Sequence, residues 1–241
     1  MPDLKSELAP KGVLRAALNM ANNLLVTGRS PSGEPTGVAP DMAHEVGRRL
    51  GVAVRLVPFT SPGELADAAD ADVWDIGMIG AEPARAEKIA FTPAYVEIEA
   101  TYLVPAGSAF RQAGEVDRKG VRIAVSGRSA YELYLSRSLK EAELKRAKGV
   151  EDAFELFVAD KLDALAGLRP ALMELAGKLP GSRVVEGRFT AVQQAIGTPK
   201  SRAASAKFLR DFVAEAKASG LVARLIERHG VVGRLSVAPR A

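Results

Sequence analysis

The sequence predicts an α/β protein of two lobes, each a mostly parallel sheet flanked by helices, joined by two hinge strands. Three observations predict this fold class. Strand patterns rich in β-branched residues alternate with amphipathic helix patterns, and the alternation restarts after Pro105 and Gly107. Two extended stretches, residues 101–106 and 190–198, link the two runs. The chain has 241 residues, which is enough for two lobes of about a hundred residues each.

The first run of elements follows a β-α-β-α-β order, which favours parallel strands with crossover helices. In its first helix, Met42, Val46 and Leu50 share one stripe and Gly51 closes the helix. The predicted elements are a strand at 13–19, a hairpin tip or short loop at 30–37, a helix at 39–51, a strand at 52–59, a helix at 61–72 and a strand at 74–79.

The second run repeats this alternation, and the chain then returns to the first lobe. The predicted domains are 1–103 for the first part of lobe 1, 104–193 for lobe 2, and 194–241 for the return and the C-terminal helices. The predicted elements are strands at 121–127, 144–148, 162–168 and 190–200, helices at 128–143, 150–161, 201–219 and 221–229, and a loose tail at 230–241.

Composition excludes several classes of protein. The 33 Lys and Arg residues against 29 Asp and Glu residues are scattered and do not indicate nucleic-acid binding. No apolar run approaches the roughly 18 residues that span a bilayer, so the protein is not membrane-embedded. Without cysteine, thiol catalysis is impossible, and with only His44 and His229, both expected at solvent, no metal site is predicted. No cofactor is predicted either.

Arg85 is the first candidate for chemistry. It lies in a charged turn that separates the strand at 74–79 from the aromatic residues around Pro93. It is either a solvated arginine beside Glu82 and Glu87 or a guanidinium aimed at an anion. Its planar fork can donate two parallel, charge-assisted hydrogen bonds to a carboxylate.

Taken in order, several segments make the chain similar to the family 3 periplasmic solute-binding proteins, which serve polar amino acid uptake by ATP-binding cassette (ABC) transporters. The resemblance covers residues 10 to 229. It is carried by LRAALN, GEPTGVAPDMAHEVGRRLGV, WDIGMIG with PARAEKIAFTPAY, VRIAVSGRSAYELYL, DALAGL and QQAIGTPK.

This resemblance implies a two-lobed fold with a ligand cleft and assigns roles to several residues. Arg85, six residues before Phe91, is implied to grip a ligand carboxylate. Ser129, at the start of a lobe-two helix, is implied to be the second clamp on that carboxylate, where free N–H groups favour anions. Its alternative role is a simple N-cap. Arg128 beside it adds positive charge.

Asn19 and Asn22 follow the first strand, where the family offers polar groups to the ligand and, at the second position, often an aromatic residue. Their alternative role is a turn that satisfies local backbone. Gln193, on the return connection, is expected to face the cleft.

Two departures from the family pattern bear on the ligand. The loop before Arg85 is shorter and offers Gly80 and Glu82 where relatives have hydroxyl donors. Leu168 stands where the family usually has the aspartate that pairs with an α-ammonium. A buried ammonium without a carboxylate costs several kcal/mol. Unless Glu82 or another acid supplies the missing charge, the sequence therefore favours a small carboxylate whose remainder is uncharged or apolar.

The predicted function is therefore that of the substrate-binding component of an ABC uptake transporter, which binds a carboxylate-bearing amino acid or related organic acid and is not an enzyme. The alternatives are a cyclohexadienyl dehydratase-like enzyme and a ligand-sensing regulatory module. An ABC permease is the expected partner, and a monomer is expected. The family implies a periplasmic location, although the segment MPDLKSELAPKG lacks a signal-peptide apolar region, so a cytoplasmic location stays open.

Overall fold

In the computed structural model of the chain, residues 4–239 are described. The fold is α/β, as the sequence predicts. The helices are α1 Leu4–Leu8, α2 Val38–Leu50, α3 Pro62–Asp67, α4 Ala130–Ser138, α5 Val150–Ala159, α6 Arg169–Ala176, α7 Ala206–Ala218 and α8 Leu221–Arg228.

The strands agree with the predicted alternation, and the Gly, Pro and Ser segment forms the turn of a short hairpin, β2–β3. The strands are β1 Val13–Asn19, β2 Gly28–Arg29, β3 Pro35–Thr36, β4 Ala53–Phe59, β5 Ile76–Gly80, β6 Ile89–Phe91, β7 Val96–Val104, β8 Arg122–Ser126, β9 Glu143–Ala147, β10 Ala164–Leu168, β11 Arg183–Val184, β12 Thr190–Pro199 and β13 Ser236–Val237.

The chain forms two compact units. Unit 1 contains the residues up to Glu97 and those from Gln193 onward, and unit 2 contains Ile98–Val192. Both passages between the units fall inside strands, the first in β7 and the second in β12.

In unit 1 the strand order is β4-β1-β5-β12, with β1 parallel to both neighbours and β12 antiparallel to β5. Helix α2 buries the predicted stripe, including Met42 and Val46, and ends at Gly51 in the left-handed conformation. Helix α3 begins after the N-cap Ser61, as its sequence indicates, and packs with Trp74 against the sheet. Because β1 and β5 run parallel, their carboxyl ends lie at one edge of the sheet.

In unit 2 the strand order is β7-β10-β8-β9, parallel except for β7. Successive residues of β8 alternate between two cores. Ile123 and Val125 pack with α4, whereas Ala124 packs with Phe157 of α5 and Leu172 of α6. Because β8, β9 and β10 are parallel, their carboxyl ends lie at one edge of the sheet. Helix α4 begins at this edge.

Two predictions outside the core are wrong. The segment after α8 is not a loose tail over its described residues: β13 pairs with Val96 and Glu97, and Leu235 is buried. A short strand that gains its stability from a distant partner has little local signal. His229 is also not at solvent, because its Nε2 lies 2.8 Å from Asp41 Oδ2 and its side chain is only 14% exposed. His44 is exposed, as predicted.

A buried ion pair joins β1 to the residue before β5. Arg15 and Asp75 are both almost fully buried, and the Arg15 Nε and Nη2 atoms lie 3.0 and 2.7 Å from the Asp75 carboxylate. The backbone N–H of Arg15 also donates to Asp75 Oδ2 at 2.7 Å. These hydrogen bonds raise the pKa of Arg15 above its usual value. Arg202, from the segment before α7, donates to the same carboxylate.

Asp72 extends this cluster toward solvent. It accepts hydrogen bonds from Arg15 and Arg202, both at 2.7 Å, and Lys11 Nζ lies 3.1 Å away. Hydrogen bonds from Arg15 and then Lys11 lower the pKa of Asp72 well below its usual range. The cluster lies at the amino ends of β1 and β5, opposite the edge that carries the candidate site residues of unit 1.

We expect Arg15→Met to lower the free energy of unfolding by about 3 kcal/mol, because it leaves part of a buried carboxylate without its partner. Urea denaturation at pH 7 measures the change. Lys11→Met is the matched control, since Lys11 meets Asp72 at the exposed rim and its loss should change the stability by less than about 1 kcal/mol. Equal effects of the two substitutions would contradict the buried role of Arg15.

Candidate functional site

The site residues predicted in unit 1 gather at the carboxyl edge of its sheet. Asn19 ends β1 and Gly80 ends β5, the parallel neighbour. Strand β12 adjoins Gly80 through its partner Gln194, and the carbonyl of Gln193 accepts a hydrogen bond from the Ala81 N–H at 2.7 Å. The edge therefore brings Asn19, Gly80 and Gln193 onto adjacent strands.

Arg85 is buried, with 6% of its surface exposed. It begins the 3₁₀ turn Arg85–Glu87, and its Nη1 donates to the carbonyl of Gly80 at 2.7 Å. The turn is held by its own backbone, since the N–H groups of Arg85 and Ala86 donate to the carbonyl of Glu82 at 3.0 and 2.9 Å. The solvated arginine considered above is therefore not what the fold forms.

Asn19 and Asn22 both cap local backbone. Asn19 Oδ1 accepts from the Ala21 N–H and Asn22 Oδ1 from the Leu24 N–H, each at 3.2 Å. The turn role therefore accounts for both side-chain oxygens. It does not account for Asn22 Nδ2, which is buried and has no hydrogen-bond partner among the described residues.

In unit 2, Ser129 is the N-cap of α4, and its Oγ accepts from the Glu132 N–H at 3.1 Å. The N-cap role weighed above is thus present, and it leaves the ligand role untested. Ser129 itself is buried.

Two amides just before this helix already have acceptors within the chain. The Arg128 N–H donates to Glu132 Oε2 at 3.0 Å, and the Ser129 N–H makes a long contact of 3.4 Å with the Ser126 carbonyl. Arg128 itself is exposed and adopts a left-handed backbone, with φ of 61°. The internal carboxylate of Glu132 thus occupies a position that an external anion would take.

Glu132 is a residue that the sequence reasoning missed. It is 4% exposed, and it also accepts from Ser136 Oγ at 2.6 Å and from Arg146 Nε at 2.8 Å. The signal was the pattern Ser-x-x-Glu at residues 129–132, which is typical of a helix start where the glutamate reaches back to backbone N–H groups. Burial by itself would raise the pKa of Glu132, but hydrogen bonds from Ser136, Arg146 and Arg128 outweigh it and lower the pKa.

Leu168 ends β10, is half-buried and packs against the core shared with α4. The side chain of the next residue, Arg169, bonds to other residues of unit 2. Its Nε lies 2.7 Å from Glu99 Oε2, and its other nitrogens donate to the carbonyls of Val185 and Gly187. Neither residue brings an acid to this end of β10.

Two negative findings apply to residues 4–239. None of their helices is long and apolar enough to cross a membrane. No three His, Asp or Glu side chains in that range cluster as they would around a metal ion.

Comparison with solved structures shows that the fold is that of the two-lobed solute-binding proteins. A mutant of ArgBP from T. maritima has a TM-score of 0.74 at 22% identity and covers 94% of this chain and 99% of its own. An amino acid ABC transporter substrate-binding protein from Streptococcus pneumoniae, bound to L-arginine, has a TM-score of 0.74 at 18% identity, with 98% and 100% covered. An ancestral amino acid-binding protein, described as a precursor of cyclohexadienyl dehydratase, has 0.73 at 22%, with 92% and 97% covered.

The family itself is shown by sequence. The model for bacterial extracellular solute-binding proteins, family 3, matches residues 23–232. The chain belongs to this family, as its resemblance predicted. None of the curated proteins matches.

We expect Glu132→Gln to lower the free energy of unfolding by about 1–3 kcal/mol at pH 7, because a buried carboxylate that accepts from three donors is replaced by a neutral amide. The lowered pKa of Glu132 determines the direction in which the stabilisation changes with pH. The stabilisation is complete above the unfolded pKa of about 4.3 and is lost as the pH falls through the folded value, so the variant and the wild type converge in acid.

Urea denaturation between pH 7 and pH 3 measures this convergence. Glu155→Gln, on the exposed face of α5, serves as the control and should change the stability by less than about 0.5 kcal/mol at any pH. A Glu132→Gln deficit that stays constant down to pH 3 would show that the carboxylate charge is not what stabilises this helix start.

Proposed function

We propose that this chain binds a small carboxylate-bearing solute and delivers it to an ABC permease. Membership of the family supports a solute-binding role. The observation that carries the carboxylate assignment is the burial of Arg85 at the carboxyl edge of the unit 1 sheet, where its Nη1 is held by the Gly80 carbonyl. Because this hydrogen bond already restricts the guanidinium, little side-chain conformational entropy remains to be lost when it binds a planar anion.

The polar groups of the same edge supply the remaining contacts in this proposal. Asn22 Nδ2 is a buried donor without a partner among the described residues, Asn19 ends β1, and Gln193 lies within β12 where that strand passes Ala81. Ligands of open parallel sheets bind at the carboxyl ends of the strands, which is where these residues lie. The ion-pair cluster of Arg15 and Asp75 is at the amino ends and belongs to the scaffold.

Unit 2 contributes Ser129, Arg128 and Leu168 in the proposal. Since Glu132 already accepts from the Arg128 N–H, the role of Arg128 is that of a nearby positive charge rather than a backbone clamp.

Two of the proteins compared above support this class of function. One is an amino acid ABC transporter substrate-binding protein bound to L-arginine. The other is an ancestral amino acid-binding protein. A periplasmic or extracellular location is proposed on the same ground, from the family description.

Enzymatic activity is the alternative function, and a similarity to a dehydratase supports it. An ancestral cyclohexadienyl dehydratase resembles this chain at 25% identity, with a TM-score of 0.52 and 92% of this chain covered. A dehydratase needs an acid that protonates the leaving hydroxyl. Leu168 offers none, and Glu132 is committed to three donors. Glu82, three residues before Arg85, is the acid that this alternative would use. Incubation with prephenate or arogenate, followed by detection of an aromatic product, tests this alternative directly.

We expect Arg85→Lys to abolish stabilisation by a carboxylate ligand, because lysine keeps the charge but not the fork. A ligand at 100 times its Kd adds about 2.7 kcal/mol of stability, which raises the melting temperature of the wild type by roughly 5–10 °C. Differential scanning fluorimetry with a panel of amino acids and organic acids measures the shift.

The variant should also melt somewhat lower without ligand, since Arg85 bonds to Gly80. Arg55→Lys, on the exposed side of β4, is the matched control and should keep the full ligand shift. An unchanged shift in Arg85→Lys would remove Arg85 from the site.

A further inference from the structure

The side-chain amide of Asn22 has a fixed orientation. Its Oδ1 accepts from the Leu24 N–H, so exchanging the oxygen and nitrogen positions would break that hydrogen bond and place two donors face to face. Nδ2 is therefore the atom that points away from the local backbone. It is buried, in a residue only 6% exposed, and no described residue accepts from it.

This donor lies at the same edge as Arg85. The Asn22 N–H donates to the carbonyl of Asn19, the last residue of β1, and β1 runs parallel to β5, whose last residue holds the Arg85 guanidinium. Because a buried donor is stable only with an acceptor, the edge presents a guanidinium for a carboxylate and a neutral amide N–H for a second oxygen.

An ammonium finds little to pair with at the strand ends. Leu168 is apolar, Arg169 is taken by Glu99, and the carboxylate of Glu132 already accepts from three donors. Among the two residues that follow each of β1, β4, β5, β8, β9 and β10, the one acidic side chain is Glu82. It comes three residues before Arg85, in the turn where the carboxylate is proposed to bind.

We propose that the solute carries, beside its carboxylate, an uncharged oxygen that accepts from Asn22 Nδ2 in place of an ammonium. A 2-oxo acid or a 2-hydroxy acid is the simplest chemistry of this kind. The inference rests on the proposed function, because it concerns the same site and names the class of solute.

The test compares matched pairs of ligands: 2-oxo acids, and the α-amino acids with the same side chains. Each pair keeps the carboxylate and the side chain and exchanges the oxygen for an ammonium. Isothermal titration calorimetry and thermal shift on the full chain should show the 2-oxo acid of at least one pair bound about 10- to 100-fold more tightly than its amino acid, which is the effect of leaving one charged group unpaired.

Asn22→Asp is the sharpest variant. An aspartate retains an oxygen for the Leu24 N–H but replaces the donor with a negative charge, so the preference should reverse in favour of the amino acid. Leu168→Asp, with Leu168→Asn as its neutral control, provides an independent route to the same reversal at a half-buried position, should Asn22→Asp fail to fold.

The outcomes separate the two proposals. Amino acids that bind the wild type more tightly than their 2-oxo partners, with binding lost in Arg85→Lys, overturn the inference and leave the proposed function intact. The absence of any shift that depends on Arg85, from either class of ligand, overturns both. A reversal in Asn22→Asp or Leu168→Asp supports the inference, and an unchanged preference in both variants contradicts it.

Discussion

The buried ion pair between Arg15 and Asp75 sets the relation on which the unit 1 site depends. It joins the amino end of β1 to the residue before β5, with one hydrogen bond from the backbone of Arg15 and two from its side chain. Since the strands are parallel and their register is fixed at that end, their last residues, Asn19 and Gly80, are fixed at the other. The charged groups that join β1 to β5 and the polar groups of the candidate site therefore occupy opposite edges.

In each unit, most of the polar groups at the candidate edge also form hydrogen bonds with other residues of the same unit. Arg85 bonds to Gly80, the asparagine oxygens cap their own turns, and Glu132 satisfies the start of α4. Such internal bonds hold side chains in one orientation before a ligand arrives, which reduces the entropy lost on binding. The Asn22 amide stands apart from this group, because its hydrogen-bonding capacity is only half used.

Most of the fold followed from local signals in the sequence. The stripe of Met42, Val46 and Leu50 and the cap at Gly51 defined α2, and the alternating pattern of residues 52–59 defined β4. The errors arose where the stabilising partner is distant. Strand β13 depends on β7, about 140 residues earlier, and the mostly buried His229 contacts Asp41, so neither is recognisable from its neighbours in sequence.

The candidate site residues came from the family resemblance, which drew on the spacing of Arg85 and Phe91 and on the polar residues after β1. What the sequence could not show was which atoms are already committed. The sequence suggests free N–H groups at the start of α4, whereas in the fold the Arg128 N–H donates to Glu132. Such pairings depend on side-chain conformation in three dimensions, and residue type alone does not determine them.

The pairing of β13 with Val96 and Glu97 lets the C-terminal segment stabilise β7 at the point where the chain leaves unit 1. These two residues immediately precede the passage into unit 2, and Ala238 bonds to the carbonyl of Tyr95 just before them. Lys217, from α7, holds the segment from the other side through the carbonyls of Ala94 and Pro239. An affinity tag fused directly after Pro239, or a deletion back to α8, would therefore disturb the first crossover strand, whereas the hairpin tip at Pro31–Gly33 is exposed and tolerant of insertion.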